Sequence, residues 1–374
     1  MNVIFLCKRQ YTSKDVINDR FGRLWNFPYE LSNAGINVDC FSLSYRRRGF
    51  SQIKINEHQT WTSIDTGLLV VPALYQVVRE VLNIIGSRSP CVIIASSDVI
   101  HLALASYLSR KCSIPLVTDL YDNYESYGLS KLPMMKRIYR NAIRQSDAVV
   151  CVTRQLSERV SQYCGKGIKP LVIANATDKS VFRPMDKESC RCVLGLPPSG
   201  FFIGTAGALD ESRDITVLYK AYERLLSEGL DIHLVLAGKV SSKNILPNIK
   251  NVHYLGELAH ADVARLYNSL DVAVIQLTDN EFGRYCFPQK AYEILACRRP
   301  VLASAVGVMQ DLFSNYPECL YDDGNVDMLV QMLRGQITRP AFPDIHVPEW
   351  NDQVKKLFNV LARIDGCIRN SDTG

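Results

Sequence analysis

One carboxylate, Glu293, lies inside an otherwise apolar helical pattern in the stretch NEFGRYCFPQKAYEILACRRPVLAS. The pattern follows the turn Phe287-Pro288 and ends in a basic pair before a strand that reads as buried. Pro288 has no amide hydrogen and suits the first turn of a helix, so the amides that follow it are expected to be free to bind an anion. Lys290 and Arg284 are nearby cations, and either could instead be an ordinary surface charge.

The length and composition of the chain indicate what kind of fold could hold such a site. The chain has 374 residues, of which 47% are hydrophobic and 22% charged, as in ordinary globular proteins. At about 150 residues per domain, this length predicts two domains. The net charge of +5 and the pI of about 8.5 are a mild basic excess. Proteins that bind nucleic acid usually concentrate more positive charge, so we expect no nucleic-acid partner.

Twelve cysteines are scattered through the chain without the spacing of a metal site. Cys190 and Cys192 are too close together for a zinc knuckle and poorly placed for a disulfide. The apolar run at the N-terminus stops at Lys8 and Arg9, which does not fit a secretory signal. No stretch reaches the roughly 18 apolar residues of a membrane span. These features predict reduced thiols and a cytoplasmic protein, with any membrane contact peripheral.

Strands and helices alternate along the chain, which indicates βαβ units and parallel sheets. In the first half, VIFLC, INVDCFSLS, CVIIASS and PLVTDL read as strands, and the pattern restarts at FFIGTAGAL near residue 201. The turn-rich segment at 175–187 marks a boundary between two Rossmann-like domains. A terminal helix carries one apolar stripe, and the pattern alone does not say on which domain it packs. The stripe consists of Trp350, Val354, Leu357, Val360 and Leu361.

Several segments, taken in order, resemble the retaining GT-B glycosyltransferases of the family 4 type, which include bacterial lipopolysaccharide, capsule and phosphoinositol mannosyl transferases. The resemblance rests on FGRLWNFPYELSNAGINVDCFS, PLVTDLYDNYE, SDAVVCVT, VIANATDKSVFRP, GTAGALDESRD, VHYLGELAHADVARLYNSLDVAVIQL and FPQKAYEILACRRPVLAS. They cover nearly the whole chain in the family's order.

The resemblance implies an α/β protein of GT-B fold, with two Rossmann-like domains that face each other across a cleft. The acceptor domain would span 1–182 and the nucleotide-sugar donor domain 183–348, and the last helix, 349–374, would cross back to the first domain. Catalysis in this family uses no bound metal or cofactor, and the donor is a nucleoside diphosphate sugar. The chain has no Asp-x-Asp pair of the metal-using type.

The same resemblance gives Glu293 a role, because it matches the second Glu of the family's paired-Glu motif. A buried carboxylate there would accept hydrogen bonds from both ribose hydroxyls of the donor. The alternative is a partly exposed helix carboxylate paired with Lys290 or Arg298. The first Glu of the motif is replaced by Tyr285, so Glu281 either reaches in from a longer loop or is a solvated loop charge.

Donor-side phosphate contacts are expected in the turn GTAGALDESRD, which follows a strand. The family's two cations fall on Ala208 and Arg213, so one is missing and Arg213 remains as the candidate for the diphosphate. It could instead be a surface arginine paired with Asp210 or Asp214. Gly207 does not complete a dinucleotide-binding motif. Donor-side binding is expected from Phe287, Pro288, Gly207, Gly238, Gly22, Glu281 and Arg284, beside Glu293.

The acceptor domain offers two candidate segments. The loop KRQYTSKDVINDRFGR is long for a βα connection, and Gly22 within it is either the family's ligand-binding glycine or an ordinary helix-entry glycine. In DLYDNYE, Tyr121 stands where relatives often carry a His that touches the sugar, and Asp122 and Glu125 are acceptor-side carboxylates. Asp119 and Asp122 could instead be solvated charges or helix caps. We expect His101 to be a cap or a packed residue.

The family implies retention by front-face attack, in which the leaving phosphate accepts the proton of the acceptor. Arg213 and Lys290 would stabilise the departing diphosphate, while Tyr121 and Asp122 would act on the acceptor side. The expected acceptor is a glycan or a lipid-linked glycan. The segment KLPMMKRIYRNAIRQ interleaves apolar and basic residues and predicts either peripheral contact with the inner membrane leaflet or a plain surface helix.

Two other functions remain open. A sugar-nucleotide epimerase of this fold would turn over the donor without an acceptor. A non-catalytic nucleotide-sugar-binding protein would fit the absent first Glu and the alanine at position 208.

Overall fold

The computed structural model describes residues 1–11, 14–46, 49–66, 70–87, 92–126, 128–209, 214–241 and 246–371. The chain forms two compact units. The first unit contains residues 1–175 and 350–374, and the second contains residues 176–349.

The first unit is built on an eight-stranded sheet in the order β10-β9-β8-β7-β1-β4-β6-β5. All neighbouring strands are parallel except β5, which pairs antiparallel with β6 at one edge. The central strands are apolar because helices cover both faces of a parallel sheet. The strands of the sheet are β1 (Asn2–Lys8), β4 (Asn37–Ser44), β5 (Ser51–Asn56), β6 (Gln59–Asp65), β7 (Val92–Ser96), β8 (Leu116–Leu120), β9 (Ala148–Cys151) and β10 (Leu171–Val172). Two further strands, β2 (Gln10–Tyr11) and β3 (Lys14–Asp15), form a separate pair.

Helices connect these strands as the alternating pattern predicts. They are α1 (Val16–Asp19), α2 (Gly22–Asn33), α3 (Val70–Ser87), α4 (Val99–Cys112), α5 (Pro133–Arg144), α6 (Arg154–Ser161) and α13 (Trp350–Ser371). Asp98 caps α4 by accepting the amide hydrogen of Ile100, which fixes the start of this helix directly after β7. Among the described residues, no helix combines the length and hydropathy needed to cross a lipid bilayer.

The terminal helix α13 packs on α2 of the first unit, as the GT-B resemblance implies. The Trp350 ring meets the Phe27 ring edge-on, with 6.1 Å between centroids. Val354, Leu357 and Leu361 of the predicted stripe are buried, so the apolar face is covered within this unit.

A buried ion pair joins α2 to the sheet. Arg23 is fully buried, and its Nε and Nη2 donate to the Asp119 carboxylate at 2.7–3.0 Å. Its Nη1 donates to the carbonyl of Ile173 at 2.7 Å, and Ser96 Oγ donates to Asp119 at 2.6 Å. The interpretation of Asp119 as a solvated charge or helix cap is therefore wrong, because the guanidinium neutralises it inside the core.

The second unit has a six-stranded, wholly parallel sheet in the order β13-β12-β11-β14-β15-β16. Leu218 and Leu225 of α8 pack with Leu329 and Leu333 of α12 in its core. The strands are β11 (Phe201–Ala206), β12 (Ile232–Ala237), β13 (Val252–Tyr254), β14 (Val272–Ile275), β15 (Val301–Ser304) and β16 (Leu320–Tyr321). The helices are α7 (Lys187–Val193), α8 (Thr216–Ser227), α9 (His260–Ser269), α10 (Lys290–Ala296), α11 (Val308–Leu312) and α12 (Val326–Thr338).

The second unit begins at residue 176, within the turn-rich segment but earlier than the predicted domain limit at residue 182. Residues 176–182, which the sequence analysis assigned to the first domain, belong to the second unit. Phe182 explains the difference, because its buried ring contacts His260 at 4.8 Å and Tyr267 at 6.3 Å between centroids. Packing thus fixes the boundary at the start of the turn-rich segment.

We predict that Asp119→Asn destabilises the first unit by about 3 kcal/mol, because it leaves the buried Arg23 without its counter-charge. All three tryptophans, Trp25, Trp61 and Trp350, lie in this unit, so tryptophan fluorescence during urea unfolding reports on it. The control is Glu158→Gln in the exposed Arg154–Glu158 pair, for which we expect a loss below about 0.5 kcal/mol. Equal, small losses in both variants would contradict the assigned role.

Candidate functional site

Two glycine turns meet at the carboxyl edge of the second sheet, where open α/β sheets bind ligands. Gly207 follows β11 and Gly238 follows β12, with φ of +123° and +122°. A Cβ on Gly238 would lie 1.9 Å from the carbonyl oxygen of Gly207. Both positions require glycine for their backbone conformation, and Gly238 also requires it because a side chain would not fit. Since glycine has no side chain, the main chain of the two turns is left uncovered at these positions.

Lys290 brings a cation to these turns. It begins α10, and its Nζ donates to Thr205 Oγ1 near the end of β11 at 3.4 Å. A Cβ on Gly207 would lie 3.2 Å from the same nitrogen. The ammonium group thus lies over the first glycine turn, where it can neutralise an anion that approaches the main chain. This places Lys290 beside Gly207, two residues that the sequence analysis assigned to one donor site.

Glu293 is one turn further along α10 and is buried, with 6% of its surface exposed. Its Oε1 accepts a hydrogen bond from Gln289 Nε2 at 3.2 Å and lies 3.8 Å from His260 Nε2. Burial raises the pKa of Tyr267, and the nearby Glu293 carboxylate raises it further. The interpretation of Glu293 as an exposed carboxylate paired with Lys290 or Arg298 does not fit, since no such pair forms and the side chain is buried.

In the Phe-Pro turn before α10, three of the amides that follow Pro288 are hydrogen-bonded within the turn itself. The amides of Ala291, Tyr292 and Glu293 donate to the carbonyls of Pro288 and Gln289 at 2.9–3.3 Å. The prediction of free amides was wrong for these three groups, because a tight turn uses them internally. Phe287 packs against Tyr292 with 4.6 Å between ring centroids. The turn therefore acts by fixing the start of α10 and so the positions of Lys290 and Glu293.

The loop before this turn carries exposed charges. Arg284 donates two hydrogen bonds to Asp279, at 2.5 and 3.0 Å, and both side chains are about half exposed. Glu281 is also exposed. This arrangement matches the surface-charge alternative for both Arg284 and Glu281. Arg213, the candidate for the diphosphate, lies outside the described residues.

In the first unit, Tyr121 follows β8 at the carboxyl edge and is buried. Its hydroxyl lies 3.3 Å from Ser97 Oγ, and its ring meets Tyr11 and Tyr124 edge-on at 5.1 and 5.4 Å. Burial raises the pKa of this phenol far above its usual value. Tyr121 is therefore a neutral hydroxyl at all physiological pH values, and Asp122 follows it directly.

Within the long loop after β1, the short strands β2 and β3 pair antiparallel. Arg9 is buried and donates to Asp15 at 2.9 Å and to Ser63 at 2.9 Å. Gly22 has a φ of +71°, and a Cβ there would lie 2.4 Å from the Tyr11 ring. The structure thus gives Gly22 a local reason to be glycine, which supports the helix-entry interpretation.

Glu125, an acceptor-side candidate, and His101, which was not one, both have structural partners. Glu125 is held by Arg140 at 2.5 Å, by Arg159 at 3.6 Å and by Lys136 at 3.7 Å. Burial would raise the pKa of Glu125, but the hydrogen bond and charge of Arg140 outweigh it and lower that pKa. His101 is a packed residue, as expected, with Nδ1 2.8 Å from Oδ1 of Asp98.

Sequence reasoning missed three polar residues at these edges. Lys8 ends β1, and its Nζ lies 5.6 and 5.4 Å from the centres of the Tyr121 and Tyr124 rings. Burial lowers its pKa, while Asp98 and Asp122 oppose that shift. The position of Lys8, directly after the apolar run VIFLC, was the sequence feature that could have indicated a role at this edge. Gln289 could have been found from its spacing of four residues to Glu293 on a helix, whereas His260 comes from another helix and carries no local signal.

The comparisons with known proteins agree with this architecture. The model for "Glycosyltransferase Family 4" matches residues 25–181, and the model for "Glycosyl transferases group 1" matches residues 200–338. A D-inositol 3-phosphate glycosyltransferase from Mycolicibacterium gilvum is 28% identical over 148 residues, covering 36% of this chain and 31% of the relative. The one from Stackebrandtia nassauensis is 31% identical over 183 residues, covering 44% and 40%. The matched stretches thus span less than half of these relatives.

Solved structures resemble the whole chain in fold. Sucrose-phosphate synthase from Thermosynechococcus elongatus has a TM-score of 0.72 at 17% identity, with 99% of each chain covered. Anabaena HepE in complex with UDP-glucose has a TM-score of 0.68 at 16% identity, covering 100% of this chain and 99% of that one. The fold is therefore GT-B. With a family model on each unit, this chain belongs to the GT-B glycosyltransferases of the family 4 and group 1 type.

Proposed function

We propose that the protein transfers a sugar from a nucleoside diphosphate sugar to a glycan or lipid-linked acceptor, with retention of anomeric configuration, in cell-surface polysaccharide synthesis. It would work in the cytoplasm, in part at the cytoplasmic face of the membrane. The observation that carries the donor assignment is the buried Glu293 one helical turn from Lys290, whose ammonium lies over the Gly207 turn.

This arrangement suits the two ends of a nucleoside diphosphate. A buried carboxylate accepts hydrogen bonds from vicinal ribose hydroxyls, and burial strengthens such charge-assisted bonds. An ammonium over exposed main chain suits a diphosphate. Lys290 is three residues before Glu293, so α10 sets the spacing of both groups. Anabaena HepE, a fold neighbour, was solved with UDP and with UDP-glucose, which supports a uridine nucleotide as the first donor to test.

The proposed catalysis is electrostatic. As the bond from the anomeric carbon to the phosphate oxygen breaks, Lys290 and Arg213 stabilise the negative charge that develops on the leaving diphosphate. The leaving phosphate accepts the proton of the acceptor hydroxyl as the new bond forms on the same face. The neutral Tyr121 hydroxyl and Asp122 orient the acceptor. No step requires Tyr121 as a base, in keeping with its raised pKa.

A nucleotide panel tests the donor assignment first. We expect UDP or GDP, at about 100 times its dissociation constant, to stabilise the protein by roughly 3 kcal/mol in a thermal-shift measurement. Product formation with acceptor then separates a transferase from an epimerase and from a binding protein. A flat response to all nucleoside diphosphates would contradict every donor-based function.

We predict that Glu293→Gln weakens binding of the stabilising nucleotide by about 10- to 100-fold, because an amide replaces a charged acceptor of the ribose hydroxyls. Isothermal titration calorimetry measures the loss. The matched control is Glu223→Gln on the exposed surface of α8, which should bind as the wild type does. Equal affinities for Glu293→Gln and the control would remove Glu293 from the donor site.

We further predict that Gly207→Ala and Lys290→Met each weaken nucleoside diphosphate binding at least about tenfold, and that their effects are not additive. The added methyl group would displace the Lys290 ammonium, so the double variant should bind little worse than Lys290→Met alone. The free nucleoside, which lacks phosphates, should be affected far less.

Gly229→Ala controls for backbone strain in this cycle, because Gly229 has a φ of +82° and no atom within 4 Å of the added carbon. Fully additive losses, or equal losses for the free nucleoside, would show that Lys290 and Gly207 do not act together on the diphosphate.

A further inference from the structure

Two histidines that the donor chemistry does not use meet on neighbouring strands of the second sheet. His233 lies on β12 and His253 on β13, and Nδ1 of His233 is 3.0 Å from Nε2 of His253. The ring centroids are 5.2 Å apart, with 29° between the ring planes. Because the centroids are much farther apart than the two nitrogens, the rings meet through their edges. One imidazole therefore donates a hydrogen bond and the other accepts it.

Neighbouring residues hold the His233 ring in this position. Phe202, the partner of His233 in the register of β11 and β12, stacks on it with 4.5 Å between centroids and 10° between ring planes. A Cβ on Gly200 would lie 2.5 Å from Cδ2 of His233, so only glycine leaves room for the ring. The ring thus has little freedom to turn away from His253 when its protonation changes.

The number of protons on the pair decides whether this hydrogen bond can form. A neutral pair shares one hydrogen, and a pair with one extra proton can still donate from one ring to the other. With two extra protons, two N–H groups would point at each other across 3.0 Å, and the two positive charges would repel. The bond is therefore lost when the pair takes up its second proton.

The surroundings of the pair disfavour its protonation. Burial lowers the pKa of His233, Asp231 at 3.9 Å from its Nε2 opposes this shift, and Arg191 of α7 adds to it. Asp231 and Arg191 are the charged groups from the described residues that act on His233. Burial also lowers the pKa of His253, and the charge of His233 lowers it further. The pair therefore contributes stability above the unfolded pKa of about 6.5, and this stability is lost as the pH falls through the lowered values of the folded state.

The strand that carries His253 also holds the second glycine turn. β13 is an edge strand of three residues. The hydroxyl of Tyr254, the residue after His253, donates to the carbonyl of Gly238 at 2.8 Å. The amide of Gly238 donates in turn to the carbonyl of Gly256 at 2.7 Å. A change that loosens β13 is therefore passed directly to the Gly238 turn.

We infer that the His233–His253 pair is a pH-sensitive clasp that holds β13, and through it the Gly238 turn, in place. With at most one extra proton the clasp is closed, and with two it opens and the turn loses its support. The response of β13 needs no donor, whereas a consequence for donor affinity rests on the proposed function. Acidification would then weaken donor binding through a group that does not touch the donor.

Hydrogen–deuterium exchange on the ligand-free chain tests the clasp. Between about pH 7.5 and about pH 5.5, we expect protection of segments 232–238 and 252–256, corrected for intrinsic rates, to fall at least about tenfold. His253→Gln keeps a hydrogen-bonding side chain that does not titrate, so most of this pH dependence should vanish. His346→Gln, at an exposed position of the same unit, should respond as the wild type does. Equal pH dependence in His253→Gln and the wild type would overturn the inference.

An NMR titration of the wild-type chain gives an answer even where a variant fails to fold. The imidazole signals of His233 and His253 should change in two linked steps, the second well below the ordinary histidine value of about 6.5. Independent single-step titrations of the two rings near that value would show that the pair does not share a proton, and the clasp would be refuted.

Binding of UDP and GDP at the same two pH values connects the clasp to the donor. The terminal phosphate also takes up a proton in this range, equally for every variant, so the readout is the difference between variants. We expect the wild type to lose at least about five times more affinity on acidification than His253→Gln. His260→Gln controls for the imidazole 3.8 Å from Glu293 and should keep the wild-type loss.

The outcomes separate the clasp from the donor site. If the loss of affinity disappears in His260→Gln and persists in His253→Gln, the clasp does not act on the donor. An exchange response without nucleotide binding refutes the proposed donor site and leaves the clasp intact. Nucleotide binding without an exchange response refutes the clasp and leaves the proposed transferase intact.

Discussion

The close approach of two glycine turns at one sheet edge is the constraint on which the proposed donor site depends. A side chain at Gly238 would collide with the main chain of Gly207, and one at Gly207 would press on the Lys290 ammonium. These turns follow adjacent parallel strands, so the sheet register brings them together. The Phe-Pro turn then fixes α10 so that its first residue reaches this edge. One helix thereby carries both the partly buried Lys290 cation and the buried carboxylate of Glu293.

In the first unit, a buried ion pair fixes the carboxyl edge of the sheet. The Arg23–Asp119 pair joins α2 to the end of β8 and also holds the chain near β10 through the carbonyl of Ile173. Because a buried guanidinium needs its counter-charge, this pair strongly constrains where β8 ends. Tyr121 and Asp122 follow directly, so the ion pair fixes the position of these two proposed acceptor-side groups. Asp98 lies at the same edge of the sheet. Burial would raise the pKa of its carboxyl group, but His101, Lys8 and Tyr45 together lower that pKa to about 2.

Much of the fold could be predicted because periodicity and capping act locally. The segment VIHLALASYLSRKC forms α4 over its full length, since Asp98 caps it and its residues favour a helix. The stripe of α13 is buried as its spacing indicates. The site was predicted less completely, because its contacts join distant segments. Arg23 and Asp119 are 96 residues apart and His260 meets Glu293 from another helix, so neither pair leaves a local pattern. The loop after β1 was recognised only as long, and the pairing of β2 with β3 inside it left no pattern in the sequence.

A crystal structure of the protein with the stabilising nucleoside diphosphate would test the central claim most directly. We expect both ribose hydroxyls within hydrogen-bonding distance of the Glu293 carboxylate, with the diphosphate against Lys290 and the main chain at Gly207. A nucleotide bound with its ribose away from Glu293, or with its phosphates away from the two glycine turns, would contradict it.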